Sequence, residues 1–362
     1  MEIHITSKIK DYSVLFIDEI ENIFDNVKGK NIFYIFDNKV RKLYPNLVNN
    51  IDSKKVLFLS ADEEIKTLSG ACLIFDFFLK NNINKKSEIV AIGGGVIQDV
   101  VTLATHIFHR GIEWTYVPTT LLAMSDSCIG AKSAINYKGF KNPLGVFHPP
   151  KMILLHPGFI KTLNYSDLLS GYGEIIKLCI IGKKNLNMLN TLNIQGLLSK
   201  DEINLSNIDS LIKSSLLIKK EYIEEDEFDS GSRRILNYGH TFGHALESVL
   251  KNEIPHGKAV VIGIDIVNYV SFRLGLLSKT DFDSCRNFYD KLYCEQSISS
   301  FKGNMLFDKI RKDKKAIDGN ILLALAKSPG NFTLQFVSID DELQGFFNDY
   351  IKENNIFNLT VS

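Results

Sequence analysis

The 362-residue chain lacks any run of about 18 apolar residues, the length needed to span a bilayer as a helix. Residues 1–12 also lack the apolar stretch of a secretory leader. Membrane anchoring and export are therefore not expected. Charge of one sign is equally absent: 42 basic and 42 acidic side chains give a formal net charge of 0. No global field recruits nucleic acid or anionic lipid, and any anionic ligand must be met by local clusters. The five cysteines, Cys72, Cys128, Cys179, Cys285 and Cys294, are odd in number and show no paired spacing. That excludes a disulfide framework and points to reduced thiols in a cytoplasmic protein. No repeat period or low-complexity tract is present. What remains is an ordinary globular composition, 45% hydrophobic and 23% charged, in a chain long enough for two domains.

The first half alternates short β-rich runs with helical stretches, the pattern of a parallel sheet covered on both faces. Strands are expected at residues 32–36, 56–60, 89–92, 114–117 and 152–155. Asp37 follows the first of them, where an acidic side chain suits a ribose hydroxyl or a solvated loop. Asp62-Glu63-Glu64-Ile65-Lys66 reads as a loop entering a helix, with carboxylates at its positive end. The strand at 89–92 runs into Gly93-Gly94-Gly95 and then a helix. Successive glycines let backbone N–H groups approach a phosphate, and the helix start adds partial positive charge. This is a dinucleotide-type loop without the G-x-G-x-x-G fingerprint, and a plain tight turn would read the same way.

Residues 118–150 are dense in anion- and hydroxyl-binding groups: Pro118-Thr119-Thr120, Asp126-Ser127, Gly130-Ala131-Lys132 and Phe140-Lys141-Asn142. An exposed surface loop has a similar composition. After about Pro157 helical patterns dominate to about residue 310. The expected organisation is residues 1–157 as an α/β domain and 158–362 as a mainly helical one. On a helix expected at 171–181, Glu174 and Lys177 lie three apart and face one way, either as an i,i+3 ion pair or with Glu174 as a carboxylate ligand. Residues 321–326 and 332–337, joined by Ser328-Pro329-Gly330-Asn331, read as a hairpin.

The densest chemistry lies between Arg233 and Gly257, which hold three of the 8 histidines. If 233–250 is one helix, Arg233, Asn237, His240 and His244 fall at i, i+4, i+7 and i+11, a polar stripe where a core helix would be apolar. Gly239 and Gly243 frame the histidines and suggest close approach of another backbone or a ligand. His-Thr-Phe-Gly-His lacks the glutamate of a zincin motif. With His256 beyond Pro255, a His/His/His metal site and a site of two histidines plus a carboxylate are both open.

Taken together these motifs resemble the dehydroquinate synthases, within the sugar phosphate cyclase family. The resembling stretches are Gly93-Gly94-Gly95-Val96-Ile97-Gln98-Asp99, Arg110-Gly111, Pro118-Thr119-Thr120-Leu121-Leu122-Ala123, Asp126-Ser127-Cys128-Ile129-Gly130-Ala131-Lys132, Lys141-Asn142, Gly173-Glu174-Ile175-Ile176-Lys177, Leu236 to Ala245, and His256-Gly257. They occur in family order over roughly residues 60–260. The resemblance implies an N-terminal Rossmann-like nucleotide-binding α/β domain and a mainly α-helical C-terminal metal and substrate domain. NAD and a divalent metal, zinc or cobalt, would lie in a cleft between them. It further implies cyclisation of 3-deoxy-D-arabino-heptulosonate 7-phosphate to 3-dehydroquinate with loss of phosphate. NAD transiently takes a hydride from the C4 hydroxyl and returns it, and an intramolecular aldol reaction closes the ring.

On the family's pattern the metal ligands match Glu174, His240 and His256, and His244 matches the catalytic histidine, with Lys177 beside it. Lys219, Arg233 and Asn237 would meet the substrate carboxylate. Lys132, Asn142 and one of Lys314 and Lys315 would meet its phosphate, with Arg110 reaching across from a second subunit of a homodimer. The positions matching NAD contacts are Asp37, Glu63, Lys66, Gly94, Gly95, Asp99, Thr119, Thr120, Asp126, Lys132, Lys141, Thr162 and Asp167. The chain departs from the family at Gln98 and Ala131, each in place of a glycine, at Ser133 for threonine, at Tyr172-Gly173 for an apolar-alanine pair, and at Asp229 for glutamate. These departures bear on which substrate is used. A cyclase acting on sedoheptulose 7-phosphate, an NAD-linked metal alcohol dehydrogenase and a silent paralogue are the competing expectations.

Overall fold

The computed structural model describes residues 1–29, 31–182, 205–251, 253–289, 301–312 and 316–360. The chain divides into two compact units, Met1–Asn164 and Tyr165–Ser362. Gly158, near which the sequence suggests a boundary, lies in the 3-10 segment Pro157–Thr162 of the first unit.

The first unit is built on a seven-stranded sheet. Its strands are β1 (Glu2–Ile5), β2 (Tyr12–Phe16), β3 (Ile32–Asp37), β4 (Val56–Leu59), β5 (Glu88–Gly93), β6 (Glu113–Pro118) and β9 (Met152–Leu155). They are ordered β1-β2-β9-β6-β5-β3-β4. Every pairing is parallel except β1 on β2. β5, buried at all six positions, shows why the sheet is parallel: a strand apolar on both faces needs cover on both. From β3 the chain goes outward to β4, then returns past β3 to β5. The order therefore reverses between β3 and β5, where doubly wound sheets place ligands beyond the carboxyl ends of their strands.

All five strands expected from the sequence are present. Four more were not expected: β1 and β2, and the hairpin β7 (Lys132–Tyr137) and β8 (Phe140–Phe147), which pair antiparallel. The polar stretch 132–147 is thus a ribbon rather than a loop. Its lysines, asparagine and glycines conceal strand periodicity because much of it is exposed.

The second unit contains α4 (Tyr165–Gly182), α5 (Leu205–Glu225), α6 (His240–Val249) and α7 (His256–Arg273), with α4 and α6 packed on α7. Gly257 to Ser271 of α7 are all buried, as expected of a helix apolar on every side. Its one buried carboxylate, Asp265, is satisfied by Arg286 Nε and Nη2 at 2.8 Å each and by the hydroxyls of Tyr289 and Tyr350 at 2.8 Å. The hairpin expected from the sequence is Asn320–Ser328 against Asn331–Ser338.

One expectation is overturned. Residues 233–250 are not a single helix: Ser232–Asn237 is a 3-10 turn, Gly239 sits at φ +77°, and α6 begins at His240. Arg233 and Asn237 therefore do not share a helical stripe with His240 and His244. The break follows from packing: a Cβ at Gly239 would lie 2.7 Å from the Val260 carbonyl oxygen of α7. The expected close backbone approach at Gly239 and Gly243 is present, since a Cβ at Gly243 would also lie 2.9 Å from the Ala259 carbonyl oxygen.

Candidate active site

In the first unit, the carboxyl ends of β3, β5 and β6 are neighbours through the pairs Phe36 with Ile92 and Gly93 with Pro118. This sets Asp37, Gly94, Gly95, Thr119 and Thr120 along one sheet edge. Gly94 is the N-cap of the helix α3 (Gly95–Ile107), and no side chain caps its first turn. The first N–H groups of α3 are thus not taken by a capping side chain. A Cβ at Gly94 would collide with Thr120 Cγ2 at 2.8 Å, whereas one at Gly95 would meet only Ser127 Oγ at 3.8 Å. Asp37 is buried, and its Oδ1 accepts from Lys39 N as the N-cap of the helix Asn38–Leu43. Thr162 bonds Tyr44, just beyond that helix, at 3.1 Å.

Glu63, Lys66, Asp99 and Asn142 form a second cluster around the β7–β8 ribbon. Lys66 Nζ pairs with Asp99 Oδ2 at 2.7 Å, and Asp99 Oδ1 accepts from Ala134 N at 3.1 Å. Burial raises the Asp99 pKa, and the Lys66 charge and hydrogen bonds counter it only partly. Asn136 donates to Glu63 at 2.7 Å and accepts from Asn142 N at 3.1 Å. Lys132 and Lys141 stand exposed on the ribbon, and Asp126 is half-buried in the segment Ala123–Ser127. Gln98, where the family has glycine, donates to the Ser127 carbonyl and accepts from the Ser127 hydroxyl, each at 2.8 Å.

The histidines lie in the second unit. Glu174, buried on α4, turns Oε1 toward His256 Nε2 at 3.1 Å and His240 Nε2 at 3.4 Å. Its Oε2 faces the Lys177 ammonium. His240, His244 and His256 each bring a ring nitrogen into a group whose members lie within 4.8 Å of one another. The two site readings left open by the sequence therefore converge on one place, with a carboxylate and three imidazoles around it. Burial alone would push the Glu174 pKa up, yet Lys177 and His240 hold it well below the usual carboxylate range. Burial and the Lys177 charge lower the His240 pKa. Burial also opposes protonation of His256, but hydrogen bonds and charges from Glu174 and Glu247 outweigh it, to about 10.

Glu247 is the residue that sequence reasoning missed: its Oε1 lies 3.3 Å from His256 Nδ1. It stands seven residues beyond His240 on α6, so extending the histidine stripe by one more step would have found it. Lys219 on α5 and Arg233 are buried cations, and Arg233 Nη1 donates to the Glu227 carbonyl. Asn237 donates to the Arg234 carbonyl at 3.3 Å, and Asp167 lies in the first turn of α4. Arg110 is exposed in the first unit. Lys314 and Lys315 lie outside the described residues.

Two adjacent family models cover this arrangement: 3-dehydroquinate synthase N-terminal over residues 56–170 and 3-dehydroquinate synthase C-terminal over residues 171–316. A 3-dehydroquinate synthase of Clostridium tetani (strain Massachusetts / E88) is 34% identical over 333 residues, 90% of this chain and 88% of that one. One from Streptococcus pyogenes serotype M6 is 31% identical over 350 residues, 94% of this chain and 96% of its own. Among solved structures, 2-deoxy-scyllo-inosose synthase complexed with carbaglucose-6-phosphate, NAD+ and Co2+ aligns with a TM-score of 0.85 at 22% identity, covering 98% of this chain and 100% of that one. ValA (2-epi-5-epi-valiolone synthase) from Streptomyces hygroscopicus subsp. jinggangensis 5008 aligns at 0.82 and 22% identity, covering 96% and 99%. The fold is that of the sugar phosphate cyclases, and with models matching both parts and relatives above 30% identity along nearly the whole length, the chain belongs to the 3-dehydroquinate synthase family.

Proposed function

We propose that the protein is a 3-dehydroquinate synthase, a phosphate-eliminating lyase that cyclises 3-deoxy-D-arabino-heptulosonate 7-phosphate to 3-dehydroquinate in the cytoplasm. The observation that carries the reading is the meeting of the Glu174 carboxylate with His240 and His256 in a chain of this family. One carboxylate and two imidazoles suit a borderline divalent cation such as zinc or cobalt and leave positions open for substrate oxygens. The uncapped start of α3, with Gly94 pressed on Thr120 and space above Gly95, suits the pyrophosphate of NAD.

NAD held at the start of α3 would supply a reversible hydride acceptor, and a divalent metal held by Glu174, His240 and His256 would supply Lewis acidity at substrate hydroxyls. The chain's own groups do the rest. Gly94 and Gly95 offer N–H donors to phosphate. Asp37, Glu63, Lys66, Asp99, Thr119, Thr120, Asp126, Lys132, Lys141, Thr162 and Asp167 frame the nucleotide. Lys219, Arg233 and Asn237 hold the substrate carboxylate, the first two as buried charges that strengthen the pairing. Lys132 and Asn142 hold the phosphate, and Arg110 reaches it from a second copy of the chain. His244, exposed one helical turn from His240, is left to move a proton at the reacting hydroxyls, with Lys177 orienting them.

Phosphate release from 3-deoxy-D-arabino-heptulosonate 7-phosphate, measured beside sedoheptulose 7-phosphate, tests the reading. The expected result is turnover of the first alone, no net NADH, loss of activity with a chelator and recovery with zinc or cobalt. Release from sedoheptulose 7-phosphate alone, accumulating NADH, or full activity of metal-free protein would each refute it.

A further inference from the structure

We infer that Glu247 is a positioning residue of the metal centre, holding His256 so that Nε2 is presented beside Glu174. The inference rests on the ligand reading above. Both imidazoles that face Glu174 do so through Nε2, and both turn Nδ1 onto an oxygen: His240 onto the Tyr238 carbonyl at 3.2 Å, His256 onto Glu247 Oε1 at 3.3 Å. A carbonyl or an ionised carboxylate can only accept, so each Nδ1 carries the hydrogen and each Nε2 is free to serve as donor atom once it sheds its own proton. The two supports are not equivalent. The Tyr238 carbonyl is fixed by the main chain next to His240. His256 begins α7, where Pro255 precedes it, and its ring is steered by a side chain from α6. That side chain is itself buried, with 10% side-chain exposure, so its carboxylate is held in place and adds negative charge behind the ligand. His240, His244 and Glu247, at i, i+4 and i+7, make one stripe of α6.

Metal affinity separates positioning from mere packing. Metal-free parent, Glu247→Ala, Glu247→Gln and Glu174→Ala would be titrated with Co2+ against a chromophoric chelator, with cobalt absorption spectra, NAD dissociation constants and metal-free thermal midpoints recorded for each. Glu247→Ala should bind Co2+ about 10–100-fold more weakly with a changed cobalt spectrum, the usual cost of losing such a supporting carboxylate. Glu247→Gln, which keeps an acceptor oxygen but loses the charge, should fall between Ala and parent, and it carries the test if the alanine variant does not fold. NAD affinity should be unchanged. Cobalt binding as tight as the parent's in the folded Glu247 variants, or a loss confined to the thermal midpoint, would overturn the inference. A parent that takes up no cobalt, or a Glu174→Ala variant that keeps it, would instead bring down the ligand reading and Glu247's role with it.

Discussion

At the level of single residues, several departures from the family pattern have local physical reasons. Ala131 stands where the family has glycine and occupies left-handed backbone at φ 55° beside Gly130 at φ 101°. The turn keeps the glycine conformation and bears the Cβ strain, on the order of 1 kcal/mol. Asp229 is likewise left-handed at φ 58°, which a short polar side chain tolerates. Tyr172 is fully buried, and burial raises its pKa well above the usual phenol range, so it acts as a neutral core group. His148 gives a pH prediction. Its ring lies against Trp114 and His106, and burial with the His106 charge lowers its pKa to about 4. The unfolded chain then binds the extra proton between the ordinary value near 6.5 and about 4. Stability is therefore full above that window and falls as pH drops through it. Urea unfolding at pH 7 and pH 5 should show the parent losing on the order of 1–2 kcal/mol more than His148→Gln. Equal losses would refute the assignment.

Among elements, the contact that sets the proposed metal site is backbone on backbone. A Cβ at Gly173 would lie 2.3 Å from the Gly257 carbonyl oxygen, and one at Gly257 would lie 2.4 Å from the Leu169 and Ser170 carbonyl oxygens. Glycine at both positions brings α4 against the first turn of α7, which is why Glu174 meets His256, the residue before Gly257. Gly173→Ala, although it restores the family's usual alanine, has no room here. It should cost about 1–3 kcal/mol by overpacking, measured by urea unfolding, and should weaken cobalt binding as α4 moves away. Unchanged stability and affinity would show that the helices can separate without consequence.

For the whole molecule, no described helix is long and apolar enough to cross a membrane. Arg110 is the residue proposed above to act in a second copy of the chain. His109 and Arg110 are consecutive non-glycine residues in left-handed backbone, at φ 50° and 60°. Lys85 Nζ bonds the Arg110 and Gly111 carbonyls at 3.1 and 2.8 Å. Strain kept at an exposed arginine supports a role for its side chain in another molecule. Arg110→Ala should lower kcat/KM by about 100-fold. Co-expressed with an inactive His244→Ala chain, it should recover about one quarter of parental activity, because a mixed two-fold dimer rebuilds one complete site. No recovery would place Arg110 outside the neighbour's site.

Much of the protein was legible before any coordinate. Parallel strands at 32–36 and 89–92 and the triple-glycine turn follow from apolar runs and glycine placement, which are local properties, while the choice of Glu174, His240 and His256 as candidate ligands came from the family resemblance. The β7–β8 ribbon was not legible, because an exposed hairpin carries no apolar alternation. Nor was the break at Gly239, because the helical pattern continues through it and only the backbone of α7 forbids the helix. By itself the sequence determined which chemistry-bearing residues exist and the family they belong to. Tertiary structure alone decided that Glu174 faces both His240 and His256 through one oxygen, and that Glu247 stands behind His256. Convergence of α4, α6 and α7 depends on backbones packed through glycines far apart in the chain, and no local pattern records that distance.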